Sequence, residues 1–329
     1  MSVSIPSVLL NSGHRMPLIA LGCIEFVRDK KTVADNVYDA VTLGYRHFDT
    51  AWIYETERFI GEGVARAISE GLVKREDLFL SSKVWVTDLR PEALAAQARE
   101  SVANLSSGYL DLLLIHGPQA YKVTKSKSTL DLEDADEGVD VHRESWKAME
   151  QLVADGVVRS IGVANYGTED LEKTLAACSI KPAVDQVEST PIFQSNRLLE
   201  VCRRHSVLMM AHSPLGGFKR DLSSDESVKA GATAAQRNQE SLWGSPVIRK
   251  VADKHGKSLA QVMLKFQVDR GVAVAVKSHR KERLRENADL FSFDLDHEDR
   301  AALAGLHRED GYCTPEFYRL LLRMDRATF

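Results

Sequence analysis

Leu110-Asp111-Leu112-Leu113-Leu114-Ile115-His116 is aliphatic at every position but one before it ends on an imidazole. A strand with one face in water alternates apolar and polar residues, whereas a strand covered on both faces does not. This segment therefore reads as a strand of a parallel sheet lying under helices. Similar short runs stand on either side: Ala20–Gly22, His47–Asp49, Phe79–Lys83, Ser160–Asn165, Ala183–Glu188, Val207–Ser213 and Val272–Lys277. With the first segment these make eight strand candidates. Helical patterns separate most of them, near 33–43, 56–71, 91–105, 142–154, 168–178, 194–205 and 258–270, with another at 280–290. Strand and helix alternating eight times predict a closed (β/α)8 TIM barrel, class α/β, rather than an open dinucleotide-binding sheet. No Gly-x-Gly-x-x-Gly follows an early strand, which points the same way.

Local signals support the plan. Asn11-Ser12-Gly13-His14 between Val8-Leu9-Leu10 and Pro17-Leu18-Ile19 predicts an N-terminal hairpin. Ser258 with Gln261 forms a capping box, and Gly271 fits the position just past the same helix. Ser245 followed by Pro246 marks a helix start. A barrel of this kind takes about 250 residues. The surplus falls in long segments at 119–140, 216–244 and 308–329, so residues 1–329 read as one domain. The first of these carries the acidic run Asp131-Leu132-Glu133-Asp134-Ala135-Asp136-Glu137, a solvated loop or a lid.

Composition bounds the function. The 329 residues are 44% hydrophobic and 27% charged, with 43 basic against 47 acidic side chains. That balance suits a globular core and gives no reason to expect nucleic acid as a partner. Cys23, Cys178, Cys202 and Cys313 show no CxxC spacing, so neither a disulfide framework nor a zinc site is expected. No signal peptide is evident at the N-terminus, and no apolar run nears the ~20 residues a bilayer span needs. A cytoplasmic monomer without a membrane association or an obligate protein partner is the expectation.

The chemistry sits at the strand ends, because the C-terminal ends of barrel strands point into the catalytic mouth. There the sequence places Asp49, Lys83, His116, Asn165, Gln186, Ser213 and Lys277, one polar group after another. Tyr54 follows Asp49 on the next loop. A phenol with a pKa of about 10 is a poor acid at neutral pH. A neighbouring ammonium stabilises the phenolate, and a carboxylate holds that ammonium in place. With a histidine to orient a carbonyl oxygen, the set suits protonation of a forming alkoxide.

At these residues the chain resembles the aldo-keto reductase superfamily, in its aldose-reductase-like branch. Gly44-Tyr45-Arg46-His47-Phe48-Asp49-Thr50-Ala51-Trp52-Ile53-Tyr54 is similar to the first family signature. Leu110 to Pro118 is similar to the strand bearing its catalytic histidine, and Val276 to Asn287 to its coenzyme signature. The resemblance implies a catalytic tetrad of Asp49, Tyr54, Lys83 and His116 and a nicotinamide coenzyme. It assigns the nicotinamide carboxamide to Asn165 and Gln186, and the pyrophosphate to Ser213 and Leu215. Lys277, Ser278 and Arg283 fall on the 2′-phosphate clamp, and Glu286 and Asn287 on the adenine. Gly22, Asp49 and His212 complete the coenzyme set. Two cations and a hydroxyl favour a phosphate dianion over a ribose hydroxyl, so NADPH is expected over NADH. On the residues alone, Lys277 and the basic positions after it also fit a solvated helix face.

The departures matter as much. His212 stands where the family commonly stacks Tyr or Phe on the nicotinamide, and Ala164 where it commonly has Ser. Ile24 and Gly117 stand where Trp is frequent, which implies a wider substrate pocket and a bulkier ketone. Trp52, Tyr54, Trp85 and His116 complete the expected substrate wall. Trp243 and the tail aromatics Phe317 and Tyr318 are alternatives for refilling the space, with Trp243 either a packing anchor or a lid contact. The expected activity is NADPH-dependent reduction of an aldehyde or ketone. A non-catalytic coenzyme-binding module on the same fold is the alternative. A metal-dependent hydrolase would need a ligand cluster such as His-x-His, which the strand ends lack. The family's double-bond reductases carry Glu at the position of His116.

Overall fold

The computed structural model describes residues 3–25, 29–122, 135–216 and 241–308. The central part of the 119–140 segment, most of 216–244 and the tail with Cys313, Phe317 and Tyr318 lie outside the described residues. Strands β1 (Ser7–Leu9) and β2 (Arg15–Pro17) pair antiparallel, joined by a turn in which Gly13 takes φ +85°. The hairpin is shifted from the expected one because Ile19 is already barrel strand.

Eight strands follow: β3 (Ile19–Gly22), β4 (His47–Asp49), β5 (Phe79–Val84), β6 (Leu110–Ile115), β7 (Val158–Ala164), β8 (Val184–Glu188), β9 (Leu208–His212) and β10 (Ala273–Val276). They close a parallel barrel in chain order, β10 pairing with β3. Helices α1 (Thr32–Leu43), α2 (Glu57–Ser69), α3 (Pro91–Asn104), α4 (Trp146–Ala154), α5 (Thr168–Ala177) and α6 (Asn196–His205) alternate with the strands. Then come α7 (Pro246–His255), α8 (Leu259–Asp269), α9 (Lys281–Ala288) and α10 (His297–Ala304). The predicted capping box of α8 is present, and Ser245 accepts from the Ile248 amide at 3.3 Å to cap α7. The periodic reading omitted the bodies of α7 and α10. Both are short and polar, but α10 has its own capping box between Asp296 and Asp299. No helix among the described residues is long and apolar enough to cross a membrane.

The pleat sorts side chains into two cores. Leu112 and Leu114 of β6 join Phe79, Ala164, Val184, Met210, Ala273 and Ala275 inside the barrel, closed from below by Leu10 and Met16 of the hairpin segment. Leu113 and Ile115 pack outward with Phe48, Leu80, Ile161, Val163, Val187, Val274 and the helices. Successive strand residues point to opposite faces. Continuing the inward set by twos brings Gly22, Asp49, Lys83, His116, Gln186, His212 and Lys277 to the upper end of the interior.

Candidate active site

Period two explains which groups meet. On β4, His47 and Asp49 share the inward face, as do Phe79, Ser81 and Lys83 on β5. The register pairs Asp49 with Ser81. Lys83 Nζ therefore reaches Asp49 Oδ2 at 2.8 Å, and it also donates to the Thr50 carbonyl at 2.7 Å. Asp49 Oδ1 accepts from Ser81 Oγ and from Gln186 Nε2, each at 2.9 Å. Below it, His47 Nε2 is 3.1 Å from Ser81 Oγ. The lysine and aspartate side chains are 1% and 6% exposed. Such a pair persists in a low-dielectric site only with good hydrogen-bonding support: here Lys83 spends two of its three donors, and Asp49 accepts from Lys83, Ser81 and Gln186.

Tyr54 comes from a 3-10 turn, Trp52–Tyr54, that leads away from β4. Glu55 ends the turn at φ +55° and pairs with Lys30 at 2.5 Å. The Lys83 ammonium is 5.5 Å from the centre of the Tyr54 ring. Tyr54 Oη stands 3.5 Å from His116 Nε2. Trp85 lies edge-to-face on His116, with ring centres 5.1 Å apart. Burial, then the charges of Lys83 and His212, holds the His116 pKa well below the usual 6.5. The imidazole is thus neutral and can donate one N–H. Asp49, Tyr54, Lys83 and His116, predicted as one set, do converge.

Asn165 and Ser213 lie one residue past their strands, so the pleat alone would turn both outward. Each adopts a left-handed backbone, at φ +61° and +49°. That conformation is uncommon outside glycine, with Asn the best tolerated exception. Asn165 is thereby turned to donate to the His116 carbonyl at 2.8 Å, while its Oδ1 lies 3.0 Å from His212 Nε2. The other ring nitrogen of His212 is 3.3 Å from Ser213 Oγ. Burial and the Lys83 charge pull the His212 pKa to about 4, against the opposing charge of Asp49. The ring is therefore neutral in the neutral pH range. Ala164 is fully buried in the inner core and offers no hydrogen bond from its side chain.

On the far side of the mouth, Ser278 is buried, and Asn36 holds its carbonyl at 2.9 Å. Arg283 and Glu286 are exposed on α9, whereas Asn287 is buried. Among the basic positions here, Lys281 pairs with Asp39 and Arg280 with Glu282. Arg283 makes no ion pair among the described residues. Trp85, Val86 and Tyr121 form an apolar cluster that Trp52 and Ile53 flank. Ile24 is half-buried and Gly117 buried. Trp243 is 38% exposed, and its indole N–H donates to the Leu215 carbonyl at 3.1 Å, which ties the segment just before α7 to the one just after β9.

Several groups here were not foreseen: His47 and Ser81 beneath the aspartate, Tyr121 in the aromatic cluster, and Glu25 and His279 beside Lys277. Counting back by two from Asp49 and Lys83 finds the first pair. Nothing local in the sequence marks the others.

A barrel whose strands lift a buried Lys–Asp pair, a tyrosine and a neutral histidine into one mouth belongs to a recognisable class. Residues 19–308 match the model of the aldo/keto reductase family. Relatives agree over nearly the full length. The chain is 36% identical over 308 residues to the NADP-dependent D-sorbitol-6-phosphate dehydrogenase of Malus domestica, covering 92% of this chain and 94% of that one. It is 38% identical over 313 residues to the NAD(P)H-dependent D-xylose reductase of Scheffersomyces stipitis, covering 92% and 94%. The solved aldo-keto reductase of Bombyx mori in complex with NADP superposes with a TM-score of 0.82 at 30% identity, over 97% of this chain and 98% of that one. The chain belongs to the aldo/keto reductase family. It is an NADP(H)-linked oxidoreductase of the carbonyl-reducing kind.

Proposed function

We propose that this enzyme reduces a bulky ketone or aldehyde with NADPH in preference to NADH, and that Tyr54 donates the proton. The observation that carries the reading is the buried Lys83–Asp49 pair set 5.5 Å from the Tyr54 ring, with His116 Nε2 3.5 Å from the phenol oxygen. A nicotinamide coenzyme held at Asn165, Gln186 and His212 would supply hydride to the carbonyl carbon. The Lys83 ammonium stabilises the phenolate left when Tyr54 gives up its proton, and Asp49 keeps that ammonium charged and aimed. Neutral His116 donates from Nε2 to the substrate oxygen and fixes it beside the phenol. In the reverse direction Tyr54, as phenolate, accepts the alcohol's proton.

The donor set suits the coenzyme. Gln186 spends its amide hydrogens on Asp49 and Met210 Sδ, which leaves its carbonyl oxygen for a carboxamide N–H. Asn165 and Ser213 are turned toward the mouth beside His212. A Cβ at Gly22 would meet nothing closer than 3.8 Å, so the bare backbone there leaves room. Lys277 and the Ser278 hydroxyl in the connection after β10, with the exposed Arg283 in the first turn of α9, supply a donor set for a phosphate dianion. Leu215, Glu286 and Asn287 are assigned to the same ligand.

For the substrate, Trp52, Trp85 and Tyr121 supply rings among the described residues, whereas Ile24 and Gly117 supply none, which supports the reading of a wider pocket on their side. We read residues 1–329 as one domain acting as a monomer. The non-catalytic alternative has no need of a buried Lys–Asp pair beside a tyrosine. The test is Tyr54→Phe: NADPH oxidation against a panel from small aldehydes to polycyclic ketones should fall by about 100-fold or more, with NADPH binding retained. Near wild-type turnover in the variant would remove Tyr54 from the mechanism. A wild type that binds NADPH and turns over no member of the panel would favour the binding module.

A further inference from the structure

Glu25 follows β3 at the rim of the mouth, and it is 1% exposed. Lys277 Nζ is 3.3 Å from its Oε2, and His279 Nε2 is 2.6 Å from the same oxygen. A carboxylate therefore already occupies the ammonium that the proposed function gives to the coenzyme's 2′-phosphate. We propose that Glu25 is a coenzyme-selectivity residue, a built-in counter-anion that lowers the advantage of NADPH over NADH. The inference rests on the assignment of Lys277 to that phosphate.

The argument is one of shared charge. An ammonium facing solvent and unpaired would give a phosphate dianion its full attraction. With Glu25 fixed on one side of Lys277, a phosphate on the other side meets a cation partly offset by a carboxylate that it shares with His279, and a like charge a few ångströms behind it. Burial keeps the carboxylate from turning away into water, and the site's reduced dielectric keeps the repulsion from being screened. NADH carries a hydroxyl in place of that phosphate and feels none of this. The penalty therefore falls on one coenzyme, and it acts at a distance from the tetrad. A purely structural ion pair would act on both coenzymes alike, through the shape of the loop.

The experiment measures dissociation constants of NADPH and NADH by quenching of intrinsic fluorescence, on the full-length wild type, Glu25→Gln and Lys277→Met. Glu25→Gln should tighten NADPH by about tenfold and leave NADH within about twofold, as expected when a like charge is removed beside a bound anion. Glu25→Ser repeats the test with a side chain too small to strain the loop, should the amide disturb folding. An unchanged or lowered NADPH/NADH preference in these variants overturns the proposal. Equal tightening of both coenzymes also overturns it, because the carboxylate would then act on a part they share. Lys277→Met separates the two levels. If it weakens NADPH alone, the phosphate assignment stands and Glu25 is judged on its own variants. If it leaves the preference unchanged, the phosphate assignment itself fails, and the role given to Glu25 fails with it.

Discussion

Lys83 Nζ lies 2.8 Å from Asp49 Oδ2, at a point where neither side chain is more than 6% exposed. Two consequences follow, one for chemistry and one for stability. Lys83→Met removes the cation beside Tyr54 and leaves a buried carboxylate unpaired. Turnover should fall by about 100-fold or more. Unfolding free energy should drop by about 3–5 kcal/mol, as for other buried pairs broken on one side. Adding Asp49→Asn to that variant should return much of the stability and none of the activity. Urea unfolding and NADPH-linked reduction on the single and double variants decide it. A double variant no more stable than the single would mean that the pair's charge is not what the fold depends on.

His116 gives a pH prediction with a definite sign. Its pKa is lowered, so the ring stays neutral through the neutral range and is protonated only well below pH 6.5. The acid side of the kcat/KM profile for reduction should show no step from this residue above about pH 6. His116→Gln should lower kcat/KM by roughly 100-fold, the cost of one oxyanion donor, without changing the profile's shape in that range. A step near pH 6.5 that disappears in the variant would mean a charged imidazole, and the orienting role would need rewriting.

The barrel was legible because its strands are short apolar runs that end in polar groups, and both properties survive translation into sequence. Leu110–Ile115 is buried at every position, its five aliphatic residues by their apolar character and Asp111 through its pairs with Arg75 and Arg159. The convergence of Asp49, Lys83 and His116 was legible for the same reason, since each sits at, or just after, a strand end, whereas Tyr54 comes from the 3-10 turn that follows β4. Helix α7 was seen only at its Ser245-Pro246 start, because the few turns that follow bury only Ile248, Val251 and Ala252. The supporting layer of His47 and Ser81 is written in the same period-two code but one step lower. The contacts of Glu25 with Lys277 and His279 join residues that are neighbours only because β10 closes on β3. No window along the chain contains that information. The left-handed turns at Asn165 and Ser213 were equally invisible, since an Asn or Ser after a strand is ordinary loop composition.

Asn165 joins backbone and site in one residue. Its side chain ties the His116 carbonyl, at 2.8 Å, to the His212 ring, at 3.0 Å, while its backbone holds φ +61°. Asn165→Gly keeps the backbone affordable and deletes both contacts. Asn165→Ala deletes the contacts and adds a strained Cβ worth roughly 1–2 kcal/mol. Both variants should weaken coenzyme binding to a similar degree, and the alanine variant should be the less stable by about that strain. Equal stability of the two would show that the positive φ relaxes when the side chain is lost.

The stability of the whole enzyme should fall as the pH drops from about 6.5 toward 4, because of histidines the fold keeps neutral. His47 is fully buried between the Pro17 carbonyl and Ser81. Burial pulls its pKa from 6.5 to about 4, in spite of the raising influence of Asp49. His212, at about 4, is shifted in the same sense. A depressed histidine pKa means that the unfolded chain takes up the proton first. Each such group therefore removes stability progressively below the unfolded pKa of 6.5, at no more than about 1.4 kcal/mol per pH unit, and stops doing so below its folded value. Ordinary carboxylates barely titrate above about pH 5, but burial raises the pKa of Asp185 and Glu57, and these contribute with the opposite sign, so the share of His47 is read as the difference between wild type and variant from pH 6.5 to 5. Urea unfolding across that window should show a falling free energy, and His47→Asn should flatten the slope by one residue's share, whatever it does to the absolute stability. A slope unchanged by the substitution would mean that His47 takes up its proton as readily in the folded barrel as in the unfolded chain.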